Sequence, residues 1–368
     1  MKIKKKEIIT FIITALVLAA TVISCVFLAG RHRHTEYTPS SPQRFGDYSS
    51  INVSVNEVPR PTSDDIAEYI NGEDNYIYYG NTENSILYFS CFLWESKKTL
   101  FFKYNTLNGN IAKIDFECDL RISTFQASDG YIYYFTEKND SSTEKSLCRF
   151  PISGGNEQIL TDCDTETMFI FASGNKVFLR TSKKISVYST DKNKIQTLWD
   201  AEENGFYCIY GDIWYYGGNL YFLASSETPK SDIPTDERYS EVEVPMSYSY
   251  LISLNIKTKK SSVLLDMPIN CFYMTENEII YIPMVHAVTE IGGKLMPFFN
   301  DRICASDLDG SNPREIFSDL DVWAIVILEY NNGKIYVFDG YAETEKVSTW
   351  VIDINTGEVG IYRGEETE

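Results

Sequence analysis

The side chains able to do chemistry are unevenly supplied along this 368-residue chain. Beyond residue 34 there is a single histidine, His286, so a histidine-based catalytic dyad would rest on one residue and a multi-histidine metal site is excluded. His286 follows Val285 at the expected end of a strand and reads as a structural or surface histidine rather than a base. No GxSxG, HExxH, GxxxxGKS/T or GxGxxG pattern occurs, which removes the usual serine-hydrolase, zinc-peptidase and phosphate-cradle signatures. Carboxylates are abundant, 52 Asp and Glu in all, so a glycosidase-type pair stays open, but no spacing singles one out. Asp307-Leu308-Asp309-Gly310 has the beginning of a calcium-loop pattern without its further ligands, and a tight turn explains it. Seven cysteines follow Cys25, none in a CxxC pair; Cys148 and Cys304 fall at the same repeat position, and the set reads as buried free thiols. No metal or other cofactor is expected.

Strands carry these residues. The segment 167–199 (TMFIFASGNKVFLRTSKKISVYSTDKNKIQTLW) reads as four of them, 168–172, 176–180, 184–189 and 194–199. β-Branched and aromatic residues fill the strands, and the breaks are Ser173-Gly174-Asn175, a Ser-Lys step and Asp191-Lys192-Asn193. The unit recurs. Its second strands are expected at 76–79, 131–134, 176–179, 220–223, 279–282 and 334–337, each after a turn such as Asn71-Gly72, Asp129-Gly130 or Asn332-Gly333. Strand quartets of this period predict an all-β β-propeller of six four-stranded blades, because a lone blade exposes both faces and only its neighbours can bury them.

Loop length then singles out one end of such a disc. Connections between first and second strands, and between third and fourth, are tight throughout. Those between second and third strands vary, from Ser182-Lys183 in blade 3 to 225–247 in blade 4, while blade 5 inserts 286–300. Variable loops are where binding function usually sits. The blade-4 loop supplies Asp236, Arg238 and Tyr239; the blade-5 insertion supplies His286, Met296, Phe298 and Phe299. These seven are the candidate binding residues. A solvated acidic spacer with a phenylalanine cap is the plainer reading of the same residues.

The N-terminus predicts where the domain resides. Residues 1–7 are a basic tail, 8–30 form an uncharged apolar run long enough to span a bilayer, 31–66 read as a Pro/Ser-rich linker, and 67–368 as the propeller. The basic tail orients such an anchor with its N-terminus in the cytoplasm and the propeller outside. Two alternatives stand beside an uncleaved anchor: signal cleavage, and lipidation of Cys25 in the lipobox-like Val22-Ile23-Ser24-Cys25. Residues 50–55 alternate well enough for an added edge strand. Beyond residue 34 there are 27 basic and 51 acidic residues, a balance of −24, which disfavours nucleic acid as a partner.

At DGYIYYFTEKNDSSTEKSLCRFPISGGNEQIL and NGKIYVFDGYAETEKVSTWVIDINTGEVGIY the chain resembles the bacterial surface-anchored propellers grouped as domain of unknown function 5050, whose repeats are similar to YWTD-type and TolB-like six-bladed propellers. The resemblance covers roughly 70–363 and implies the fold without implying an activity. The expectation is a membrane-anchored, extracytoplasmic, non-enzymatic module binding a protein or cell-wall glycan through its long-loop face. The alternative is a carbohydrate-active hydrolase or lyase using carboxylates at the propeller mouth, and a third reading is an architectural spacer.

Overall fold

The computed structural model describes residues 41–45, 60–137, 144–241, 247–291, 294–298, 302–318, 324–339 and 348–362, all within one compact unit. The basic tail, the apolar run, Cys25, the strand expected at 50–55 and Phe299 lie outside the described residues. Among the described residues, no helix is long and apolar enough to cross a membrane.

Among the described residues, six antiparallel blade sheets follow one another in sequence order, with one two-stranded hairpin as a separate sheet. A short strand, β1 (Gln43–Phe45), precedes them. Blade 1 is β2 (Asn75–Glu83), β3 (Ile86–Leu93), β4 (Lys98–Asn105) and β5 (Ile111–Cys118). Blade 2 is β6 (Phe125–Ser128), β7 (Tyr131–Glu137), β8 (Glu144–Pro151) and β9 (Gln158–Asp164). Blade 3 is β10 (Met168–Ser173), β11 (Lys176–Arg180), β12 (Lys184–Ser189) and β13 (Lys194–Asp200), within a residue of the expected bounds. Blade 4 is β14 (Cys208–Tyr216), β15 (Asn219–Ser226), β16 (Tyr248–Asn255) and β17 (Ser261–Val263). Blade 5 is β18 (Ile269–Met274), β19 (Glu278–Pro283), β22 (Arg302–Asp307) and β23 (Arg314–Ser318), interrupted by the hairpin β20 (Ala287–Ile291) and β21 (Lys294–Phe298). Blade 6 is β24 (Ala324–Asn331), β25 (Lys334–Asp339), β26 (Ser348–Asp353) and β27 (Val359–Tyr362).

The hairpins form because their turn residues accept left-handed backbone. Asp129-Gly130 and Asn332-Gly333 carry positive φ at both central positions, as a type I′ turn between right-twisted strands requires. Strand alternation then divides the core into the seams between blades. In β7, Ile132 and Tyr134 pack toward Phe101 and Phe125 at the blade 1–2 seam. Tyr133 between them packs with Leu179 and Tyr188 at the blade 2–3 seam. In β19, Ile280 and Ile282 pack with Ile327 and Val337 of blade 6, while Ile279 and Tyr281 pack toward Trp214 and Leu251 of blade 4. A strand with period 2 buried on both faces serves two neighbours at once. This is the β-propeller arrangement.

The first strand of each blade is the inner one, and polar side chains sew these strands together. Asn81 on β2 donates from Nδ2 to Ala127 O (2.8 Å) and accepts from Ala127 N (2.7 Å). Gln126 on β6 repeats the device one blade on, donating to Ile170 O (2.8 Å) and accepting from Ala172 N (2.9 Å). Beside Asn81, Gly80 keeps the seam close: a Cβ there would stand 2.6 Å from the Phe125 ring.

Two sequence expectations change. The segment 76–79 lies in the first strand of blade 1, not the second, and β3 takes the second place. Asn71, with φ 51°, instead ends a helical turn (Ala67–Ile70) whose Ile70, with Ile66, packs on the face of blade 1 turned away from blade 2. An Asn-Gly pair serves a helix C-terminus as readily as a hairpin, since both need left-handed backbone. The expected linker also contains structure: β1 pairs with β14, antiparallel, on the inner edge of blade 4.

Candidate binding face

The loops between second and third strands share one end of the propeller with the blade-to-blade connections. Two clusters are built there. In the first, the blade-4 loop is tied to blade 5 through His286. The His286 amide donates to Pro234 O (2.8 Å), and the Asp236 amide donates back to His286 O (2.6 Å), forming a one-residue parallel bridge. The imidazole stacks on Tyr239 with ring centroids 4.4 Å apart and planes 8° from parallel. Thr235 Oγ1 donates to Ile233 O (2.9 Å), which leaves it to accept from His286 Nδ1 at 3.3 Å. Nε2 is then the unprotonated nitrogen, buried and without a hydrogen-bond partner. Burial pushes the His286 pKa down from its ordinary value.

Asp236 and Arg238 complete this corner. Asp236 accepts from the Arg238 amide (2.8 Å) and from the guanidinium (3.1 Å), and these bonds hold its carboxyl below the usual range. Arg238 also donates to Val288 O (3.1 Å), reaching the blade-5 hairpin. Four of the seven expected residues, Asp236, Arg238, Tyr239 and His286, are thus brought together. The expected blade-5 loop is a hairpin, with Met296 opposite Thr289 and Phe298 opposite Ala287 in its ladder. Phe299 lies outside the described residues.

The second cluster, on blade 1, escaped the sequence reading. Trp94, in the turn after β3, is 38% exposed, and Tyr76, at the start of β2, is 53% exposed. Their rings meet edge to face at 5.8 Å. The Arg121 guanidinium lies 5.9 Å from the Tyr76 and Trp94 ring centres and 5.4 Å from that of Tyr78, and its Nε donates to the Tyr78 hydroxyl (2.7 Å). Lys97 stands over the Trp94 ring at 4.6 Å. Buried hydroxyls of blade 1 position Arg121 from either side: Thr99 Oγ1 donates to Leu120 O and accepts from Ile122 N (3.1 Å), while Ser90 Oγ donates to Ile122 O (3.0 Å). A tryptophan in a polar turn, Leu93-Trp94-Glu95-Ser96-Lys97, was the available signal.

At the axis, Arg44 of β1 donates from Nε to Asp212 Oδ2 (2.5 Å) and from Nη1 to Leu328 O (2.9 Å), with the Trp214 ring 5.4 Å away. Both side chains are buried, 9% and 5% exposed. Asp212, a carboxylate on an inner strand, is therefore engaged by a cation.

The carboxylates of the Asp307–Gly310 turn are likewise used within it: Asp309 accepts from Ser311 N (2.9 Å) and Asp307 from Asn312 Nδ2 (2.7 Å). All seven described cysteines are free thiols, with Cys163 and Cys208 half-buried and the other five buried.

No protein-family model matches the chain, and no curated protein matches it. Among solved structures it is similar to the β-propeller domain of the Trilobed protease from Pyrococcus furiosus, at 9% identity over 78% of this chain and 84% of that one, with a TM-score of 0.41. An uncharacterized protein from Listeria monocytogenes matches at 13% identity over 79% of this chain and 83% of that one, with a TM-score of 0.42. Oligopeptidase B from Leishmania major matches at 11% identity over 82% of this chain, with a TM-score of 0.44, and the chain spans 42% of that protein's length. The chain likewise spans 57% of the matched chain in a Saccharomyces cerevisiae complex of Dbp5 with Nup159 and Gle1. At these values the likenesses carry no argument about activity.

Proposed function

We propose that this protein is a non-enzymatic binding module that engages a protein or a cell-wall glycan through the long-loop end of its propeller. The observation that supports this best is the blade-1 cluster, where two exposed aromatic rings flank a guanidinium held in place by buried hydroxyls. Tryptophan, tyrosine and arginine are the side chains that dominate binding hot spots, because they offer large rigid faces at small entropic cost. Such a platform suits the apolar face of a sugar ring or an aromatic protein side chain. The docked blade-4 loop frames the same end with the Asp236–Arg238 pair. With a balance of −24 beyond residue 34, the surface favours neutral or basic ligands.

The proposal includes residence outside the cytoplasmic membrane, anchored through the apolar run 8–30, in keeping with the resemblance to surface-anchored propellers. The test is proximity crosslinking on intact cells, with wild type compared against Trp94→Ala and against a chain whose 227–247 loop is cut to two residues. A partner or glycan captured by wild type, and lost at least about tenfold with Trp94→Ala, is the expected result. An unchanged crosslinking pattern in both variants would overturn the reading.

A further inference from the structure

We propose that the inner edge of blade 4 is a recognition site for an extended peptide carrying arginine followed by an aromatic residue, and that Gln43–Phe45 is a tethered copy of that ligand. This site lies at the axis and is independent of the long-loop face.

The blades are complete with four strands, and only blade 4 has a fifth among the described residues. That strand is three residues long, paired Gln43 to Tyr215, Arg44 to Trp214 and Phe45 to Ile213. So short a ladder contributes few backbone bonds. In strand addition of this kind the backbone supplies general affinity, and sockets for the side chains supply selectivity.

Two sockets are present, and blade residues build both. The first fits a guanidinium. Asp212 presents a buried carboxylate, Leu328 of blade 6 presents a carbonyl, and Trp214 presents a ring face. A planar fork can satisfy the carboxylate and the carbonyl from two different nitrogens, whereas an ammonium of the same charge lacks that geometry. The second socket is an aromatic shelf. Phe45 stacks on Phe171 at 5.5 Å, and Phe171 stacks in turn on Phe178 at 4.3 Å and Tyr215 at 4.5 Å. Phe171 stands where Gln126 stands one blade earlier, so the strand closes with its own side chain a seam of the kind that Asn81 and Gln126 close with an amide.

The socket also has to be filled. Withdrawing Arg44 would strip the buried Asp212 carboxylate of the guanidinium with which it pairs. A chain withdrawing Arg44 would therefore present a strong selection for a replacement cation. Because Gln43–Phe45 belongs to the same chain, it meets the edge as an intramolecular ligand, and a free peptide must compete with it.

The test uses the full chain carrying Arg44→Ala and Phe45→Ala, titrated by fluorescence anisotropy with a labelled peptide Ser-Pro-Gln-Arg-Phe-Gly. The variant is expected to bind this peptide, and wild type to bind it at least about tenfold more weakly because its own strand occupies the edge. Replacing the peptide's arginine by lysine should weaken binding by about tenfold, and adding Asp212→Asn to the protein by on the order of a hundredfold. Trp94→Ala should leave peptide affinity unchanged. A folded variant that ignores the peptide, or binding indifferent to Asp212→Asn, would sink the proposal. So would a variant that no longer unfolds cooperatively, since the strand would then be an integral part of the fold rather than an exchangeable ligand.

Discussion

Replacing His286 by alanine removes its two side-chain contacts with the blade-4 loop, leaving in place the two backbone bonds and the Arg238 contact with Val288 O. The stack on Tyr239, at 4.4 Å and nearly parallel, is worth about 0.5–1.5 kcal/mol. The Nδ1 contact with Thr235 at 3.3 Å is worth about as much again. The local opening equilibrium should therefore shift by about 1–3 kcal/mol, or roughly 5- to 150-fold. Native-state hydrogen exchange reads this directly, because the Asp236 amide is bonded to His286 O and the His286 amide to Pro234 O. Both amides should exchange faster in the variant, while those of β16 stay protected.

Acid should act on the same contact. Burial places the folded-state pKa of His286 below its usual value of 6.5, so the neutral ring is the one that docks. The contribution is fully present above the unfolded value and is lost as pH falls through the folded one. Protonation would put a buried, unpaired N–H at Nε2. After correction for intrinsic exchange rates, wild-type opening should rise below about pH 6.5. His286→Phe keeps an aromatic ring for the stack and has no imidazole to titrate, so its opening should be flat between about pH 5 and 7, above the range in which Asp236 takes up a proton. Equal protection in the alanine variant, or a pH dependence between about pH 5 and 7 that survives in the phenylalanine variant, would rule out this docking contact.

Gln126→Ala leaves the Ala172 amide and the Ile170 carbonyl unpaired at the blade 2–3 seam, and should lower stability in urea by about 2–4 kcal/mol with an unchanged m-value. Gln126→Glu keeps the acceptor and loses the donor, so its deficit at neutral pH should shrink in acid as the carboxyl is protonated. For the thiols, burial pushes Cys91, Cys118 and Cys148 up to about 11 and Cys271 up to about 12. A brief iodoacetamide pulse at pH 8, read by mass spectrometry, should leave these four unmodified in the native protein and modify them in urea.

How far each feature could be read in advance depended on how local its cause is. Blade 3 was legible almost to the residue because its two hairpin turns on the tight end contain glycine, asparagine and aspartate, and its strands are rich in β-branched and aromatic residues. The blade-4 loop was legible as a long acidic insertion, but its docking on His286 was not, since Thr235 and His286 stand 51 positions apart. Blade 1 misled: Asn71-Gly72 before Tyr-Ile-Tyr-Tyr has the form of a hairpin turn and second strand, yet its left-handed backbone ends a helical turn.

Local grammar was legible in the chain: strands, tight turns and the end of the propeller at which loop length accumulates. These follow from backbone preferences and period-2 burial, which act over a few residues. Which seam each side chain fills emerges only when the blades assemble, as does the short strand against the inner edge of blade 4. The same assembly brings Arg44 to Asp212 across 168 positions, and Arg121 to Tyr78 across 43. Such pairings are set by the closing of blades around an axis, and no property of either partner's neighbours in the chain encodes them.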